Sequence, residues 1–140
     1  MIRVNRVYRF SASHRLHSDQ LSEQANRELY GKCNNPFGHG HDYALHVGIR
    51  GTVDGPSGRL VSPGRLDRYV GDKILRVFDH QDINADVPDF QGVSTTENLA
   101  VDVERRLQSD WKKEFGDAVE LDRVFVRETP RNTFELRTSR

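Results

Sequence analysis

Two stretches of apolar alternation, separated by a long polar interval, constrain this chain more than any other feature. In the first, Ile2, Val4, Tyr8, Phe10 and Ala12 share one parity and Arg3, Asn5, Arg9 and Ser11 the other. A period of two requires an extended backbone with one face in a core, so a strand is expected from Ile2 to His14, with His14 at its end. Alternation resumes at His41. There Tyr43, Leu45, Val47, Ile49 and Val53 oppose Asp42, His46, Arg50 and Thr52, up to the turn signal Asp54-Gly55-Pro56. Between these strands the chain is polar, with a short helix expected around Ser22 to Leu29 and a turn-rich loop from Gly31 to Gly40.

Downstream the period changes. Leu66, Tyr69, Val70, Ile74, Val77 and Phe78 recur at helical spacing behind Pro63, which predicts a helix over 64–78. Ser94-Thr95-Thr96-Glu97 offers capping residues ahead of Leu99, Val103, Leu107, Trp111 and Phe115, with Gly116 as a stop, and this predicts a second helix. Leu121 to Glu128 and Thr133 to Thr138 read as two more strands. The order β-β-α-α-β-β is that of an α+β chain, and its 140 residues suit one domain, residues 1–140.

Lys and Arg number 21 and Asp and Glu 21, so there is no basic field to attract nucleic acid or an anionic membrane. An apolar share of 35% is low for a self-sufficient core and points to assembly with further copies. One cysteine cannot close an internal disulfide, MIRVNRVYRF lacks an apolar signal core, and no apolar run has membrane-spanning length. A soluble, reducing, cytoplasmic setting is expected.

His39-Gly40-His41 places two imidazoles on one face of an entering strand, with Gly40 leaving space between them. If the two strands are neighbours, His14 supplies a third and leaves a fourth position open, as catalytic metals require. Spacing alone leaves ordinary surface histidines as the alternative. His17 and His46 lack comparable partners and are read as surface or structural. Cys33, beside Lys32 and near a cation held by the histidines, sits where a thiol pKa is lowered; the alternative is a small packed side chain. Asp79-His80, at the end of the first helix, suits proton transfer or, equally, a solvated helix terminus. Glu128 is in phase with the inward Val124 and Val126 and needs a partner: Arg127, Arg131, or a ligand edge with an amide N–H beside an amine.

Taken together, FSASHRL (10–16), LYGKCNNPFGHGHDY (29–43), Asp79-His80, STTEN (94–98) and Glu128-Thr129 followed by Asn132 closely resemble the 6-pyruvoyltetrahydropterin synthase family over nearly the whole chain. The resemblance implies the tunnelling fold: an antiparallel four-stranded sheet with two helices on one face, closing with other copies into a barrel. It further implies a trimeric ring paired into a homohexamer with sites at subunit interfaces. By position in the motifs, His14, His39 and His41 match zinc ligands, and Cys33 with Asp79 and His80 the proton-transfer group. Glu128 matches the pterin anchor, and Thr95 and Thr96 the segment lining the pterin pocket, although Ser94 and Thr95 also suit helix capping.

The implied reaction is conversion of 7,8-dihydroneopterin triphosphate to 6-pyruvoyltetrahydropterin with loss of triphosphate, using Zn2+ and with Mg2+ accompanying the phosphates. Lys32 and Arg15 are candidates for phosphate contact. The alternative is the related 6-carboxytetrahydropterin synthase of deazapurine (queuosine) biosynthesis. In those enzymes three residues usually separate the cysteine from the histidine pair; here five separate Cys33 from His39, as in the pyruvoyl-forming group. A further alternative is a non-catalytic pterin or metal-binding module. The chain departs from the family pattern at Leu60-Val61-Ser62-Pro63-Gly64-Arg65 and at Pro130.

Overall fold

The two alternating segments form β1 (Ile2–His14) and β2 (His39–Gly51), paired antiparallel from Ile2 opposite Gly51 to His14 opposite His39. This computed structural model describes residues 1–138. Between β1 and β2 lie helix α1 (Glu23–Tyr30), capped by the Ser22 side chain, and a 3-10 turn (Gly31–Asn34). The expected first helix is one helical run in three parts: α2 (Pro63–Val70), a π turn (Gly71–Leu75) and α3 (Arg76–Phe78). Pro63 occupies its first turn, where a missing N–H costs nothing. Strand β3 (Gln81–Asp82) and helix α4 (Ile83–Asp86) follow.

Helix α5 (Thr96–Gln108) begins one residue later than a Ser94 cap would place it, because the Thr95 side chain accepts from Asn98 N at 3.2 Å. The helix expected through Phe115 breaks at Ser109-Asp110. A short α6 (Trp111–Phe115) then ends at Gly116 with φ 73°. Strands β4 (Val119–Thr129) and β5 (Asn132–Arg137) form a hairpin across Pro130-Arg131. Pro130 fits this turn because Thr129 Oγ1 accepts from the N–H groups of Arg131 and Asn132, leaving the proline no donor to supply.

The sheet has five strands in the order β3-β1-β2-β4-β5 and is mixed, since β3 runs parallel to β1 at Ala12 and Ser13. This corrects the expectation of four antiparallel strands. Two residues are too few to show an alternation, so periodicity could not reveal β3. The inward parity of the strands packs with α2, the π turn and α5 into one core that includes Phe10, Leu45, Val47, Ile74, Val103 and Val126. The register slips twice, at Gly48/Ile49 against β4 and at Arg127/Thr129 against β5. The second bulge leaves Glu128 without a cross-strand partner. Among the described residues no helix is long and apolar enough to cross a membrane.

Candidate metal and substrate site

The pairing of His14 with His39 follows from the strand register, and His41 lies two residues along β2 on the same face. The three rings stand nearly perpendicular to one another, at 86°, 90° and 88°, with centroids 4.8 to 5.2 Å apart. One nitrogen from each lies within 4.8 Å of the others. His14 is buried, 1% exposed, and its Nδ1 sits 2.7 Å from the Ser94 carbonyl, which obliges that nitrogen to donate and leaves Nε2 as the acceptor. That Nε2 is buried with no hydrogen-bond partner. An orphaned imidazole lone pair facing two further imidazoles is the donor set a divalent cation of the zinc type takes, and the residues therefore fit a metal. Burial also pushes the pKa of His14 and of His39 below the ordinary histidine value, keeping both rings neutral as ligation requires.

Gly38 is required beside this cage. Its φ is 72°, and a Cβ there would lie 3.0 Å from the His14 carbonyl oxygen. Gly40, by contrast, could carry a Cβ at an ordinary 3.6 Å from Ala12 O, so the space expected between the histidines is not the reason for glycine there.

The loop bearing Cys33 is tied to the end of β1. Leu16 N donates to Cys33 O at 2.8 Å and Asn34 Nδ2 to Leu16 O at 2.7 Å. In the chain alone the thiol pKa is raised, by partial burial and then by the charge of Glu128, rather than lowered as the neighbouring Lys32 suggested. Lys32 is exposed whereas Cys33 is half-buried, and the charge that acts on the thiol is that of Glu128. Arg15 is held elsewhere: its Nε donates to Asn34 O at 3.1 Å.

Glu128 takes neither arginine as partner. The Thr96 hydroxyl, at the first turn of α5, donates to its Oε2. Thr95 is accounted for by capping α5. Beside this pair lies Tyr43, 1% exposed, whose phenol is pushed well above its ordinary pKa by burial and then by Glu128, with Cys33 contributing and Thr96 opposing. His14, His39, His41, Thr96, Glu128 and Cys33 thus converge at one end of the sheet.

Asp79 and His80 stand apart, on the edge of β1. Asp79 Oδ1 accepts from Ser11 N at 3.0 Å, and His80 N donates to Ser11 O at 2.6 Å, so the dipeptide holds the edge of β1 at Ser11 as a strand would. The Asp79 carboxylate lies 3.1 Å from His80 Nδ1. The His80 backbone is left-handed at φ 60°, the sole such non-glycine among the described residues, and its side chain is 82% exposed. It lines a hollow of about 520 Å³ shared with Ser11, Gly40, His41, Asp42 and Asp82. His17 and His46 are structural: each has a ring nitrogen within hydrogen-bond reach of an asparagine amide, Asn34 at 3.1 Å and Asn5 at 2.9 Å respectively.

Sequence reasoning passed over two contributors. Tyr43 was read as core by parity, although a tyrosine pointing inward must find a partner for its hydroxyl, which is the signal that marks it. Ser94 acts through its carbonyl, which no side-chain pattern announces.

The family described as 6-pyruvoyl tetrahydropterin synthase matches residues 3–139. The human 6-pyruvoyl tetrahydrobiopterin synthase is 45% identical over 106 residues, covering 75% of this chain and 73% of the human one. That of Poecilia reticulata is 48% identical over 99 residues, 70% of this chain and 67% of the relative. The solved 6-pyruvoyl tetrahydropterin synthase of Caenorhabditis elegans superposes with a TM-score of 0.88 at 38% identity, over 99% of this chain and 96% of that one. An uncharacterized Wolinella succinogenes protein shares the fold at 14% identity, with a TM-score of 0.70 over 99% of this chain and 98% of its own. With a match spanning all but the first two residues and the last, and with these relatives, the chain belongs to the 6-pyruvoyl tetrahydropterin synthase family.

Proposed function

We propose that this protein is a metal-dependent lyase that converts 7,8-dihydroneopterin triphosphate to 6-pyruvoyltetrahydropterin with elimination of triphosphate. The observation that carries the reading is the convergence, at one end of one sheet, of three clustered imidazoles, a partly buried thiol and a carboxylate set in a bulge. His14, His39 and His41 would hold Zn2+, which supplies a Lewis acid for the side-chain oxygens and so acidifies the neighbouring hydroxyl and C–H groups. Glu128, fixed by Thr96, accepts from the amide N–H and exocyclic amine of the pterin and sets the ring in place. Cys33 accepts the proton released beside the ring. Its thiol is pushed up in the chain alone, and a cation held by the imidazoles acts in the opposite direction.

Asp79 and His80 complete the proton path from a second chain. Their place on the β1 edge, away from the groups that act on Cys33, supports a site closed by a neighbouring copy in a barrel of trimers paired as a hexamer. Mg2+ accompanies the triphosphate in solution. A cytoplasmic location suits a thiol that must stay reduced.

The test is turnover of 7,8-dihydroneopterin triphosphate by the zinc-loaded protein, with the organic product identified. Release of triphosphate with 6-pyruvoyltetrahydropterin is expected. Formation of 6-carboxytetrahydropterin with acetaldehyde would assign the chain to the carboxy-forming reaction instead, and metal and pterin binding without triphosphate release would make it a binding module.

A further inference from the structure

Among the described residues, two buried side-chain polar atoms lack a hydrogen-bond partner, His14 Nε2 and Tyr43 Oη. Such atoms are rare in folded proteins because each gives up its hydration without replacement, so each calls for a reason. The metal cage accounts for His14. Tyr43 has no such account: it is not a ligand, and its hydroxyl contributes nothing to the core around it.

The ring cannot swing out to find water. It stacks on Phe10 with centroids 5.1 Å apart and an interplanar angle of 23°, and it meets the His41 ring at 5.6 Å. Tyr43 follows His39 and His41 at the same strand parity, so its side chain lies on their face of β2, one step further toward the core. The polar groups around the phenol belong to the substrate site: Glu128 and Cys33 by charge and Thr96 by its hydroxyl. Thr96 has already given its proton to Glu128. The phenol meets no acceptor at hydrogen-bond distance, and because Ala44 pairs with Arg127 across β2 and β4, it is held on the strand next to the position of Glu128.

We propose that Tyr43 is a substrate-positioning residue whose hydroxyl donates to the ring carbonyl of the bound pterin, next to the edge that Glu128 grips. The inference rests on the pterin reading of the site. Along one edge a pterin presents an amine, an amide N–H and then a carbonyl: donor, donor, acceptor. A carboxylate answers the two donors, and the acceptor then needs a donor immediately beside that carboxylate. Tyr43 supplies the third contact and so fixes which way round the ring enters, a distinction that the two-pronged grip of Glu128 enforces less strongly by itself.

The test compares wild type with Tyr43→Phe, which keeps the ring packing and removes only the hydroxyl. Binding of unsubstituted pterin, followed by its fluorescence, should weaken about tenfold, with KM rising similarly and kcat nearly unchanged. Bound zinc should stay the same, and the unfolding temperature should be unchanged or higher, because the lost hydroxyl had no partner to stabilise it. With the 4-thio analogue, which keeps both donors and weakens the acceptor, the variant and wild type should differ much less. Binding of pterin by Tyr43→Phe within twofold of wild type would overturn the assignment, as would a parallel loss of zinc or of stability, which marks a structural role. Failure of wild type itself to bind pterin would instead overturn the pterin reading of the site.

Discussion

The two groups of polar residues that this chain gathers are built in opposite ways. The histidine cage with Thr96, Glu128 and Tyr43 lies on the buried face of the sheet, and strand register and helix start fix every member within one chain. Asp79-His80 sits on a sheet edge, holds Ser11 by backbone mimicry, leaves its imidazole 82% exposed and keeps a left-handed residue. The first group is finished inside the fold. The second is displayed outward, an arrangement that suits delivery to another chain, so on the proposed reading binding and proton transfer belong to separately built parts of the molecule.

Substitutions can break that separation. The largest effect is expected for Cys33→Ala, which should lower turnover about 10²–10⁴-fold while leaving zinc content, read by metal analysis, as in wild type. Unchanged activity would remove Cys33 from the chemistry. Next, Glu128→Gln should weaken pterin binding by about 2–3 kcal/mol, measured by titration calorimetry, and leave zinc in place, because the amide opposes one of the two ligand donors with a donor.

The sharpest test of delivery between chains is complementation. Cys33→Ala and His80→Ala are each expected to be nearly inactive, yet refolded together at equal ratio they should recover activity in about a quarter of the sites, as random assembly of two-chain sites predicts. No recovery on mixing would place both groups in one chain and erase the contrast.

A smaller effect should appear in stability against pH for the chelated protein. His14 and His39 have folded pKa values below the ordinary 6.5, through burial first. Their neutral rings cost nothing above pH 6.5. As pH falls below it, the unfolded chain takes up protons that the folded chain refuses, so stability is lost until the lowered folded values are passed. The denaturation midpoint in urea should drop between pH 7.5 and 5.5, and zinc should raise it at the higher pH. A midpoint independent of pH would show that the cage is not held neutral. The smallest change in stability is expected for His80→Gly, which relieves the φ of 60° and should raise stability by at most about 1 kcal/mol although turnover is lost as in His80→Ala.

The same contrast explains what could be read before the structure was known. Residues placed by periodicity were legible: the parity of His39, His41 and Glu128, and the facing of His14 on a neighbouring strand, all follow from alternation. The helix over 64–78 and the hairpin near Pro130 were legible for the same reason, since long periodic segments carry their own evidence. What periodicity does not encode stayed hidden. The two-residue β3 has no pattern, the bulge at Glu128 is a local register slip, and Ser94 works through a carbonyl that every residue possesses. The Cys33 environment in the chain alone was not legible, because adjacency in sequence put Lys32 beside it, whereas in the fold burial and then Glu128 push the thiol up.

Three consecutive residues hold the two halves of the cage in register. Ser94 grips a metal-type ligand by its carbonyl, Thr95 starts α5, and Thr96 grips the carboxylate. The span from imidazoles to carboxylate, fixed by the pairing of β1, β2 and β4, is thereby braced a second time by a single tripeptide, a gauge laid beside whatever bridges it. On the proposed reading, a molecule with a longer or shorter reach between its oxygens and its ring edge would fit that gauge poorly. Re-tuning the protein for such a molecule calls for a change in that tripeptide, with every ligand and the thiol left untouched.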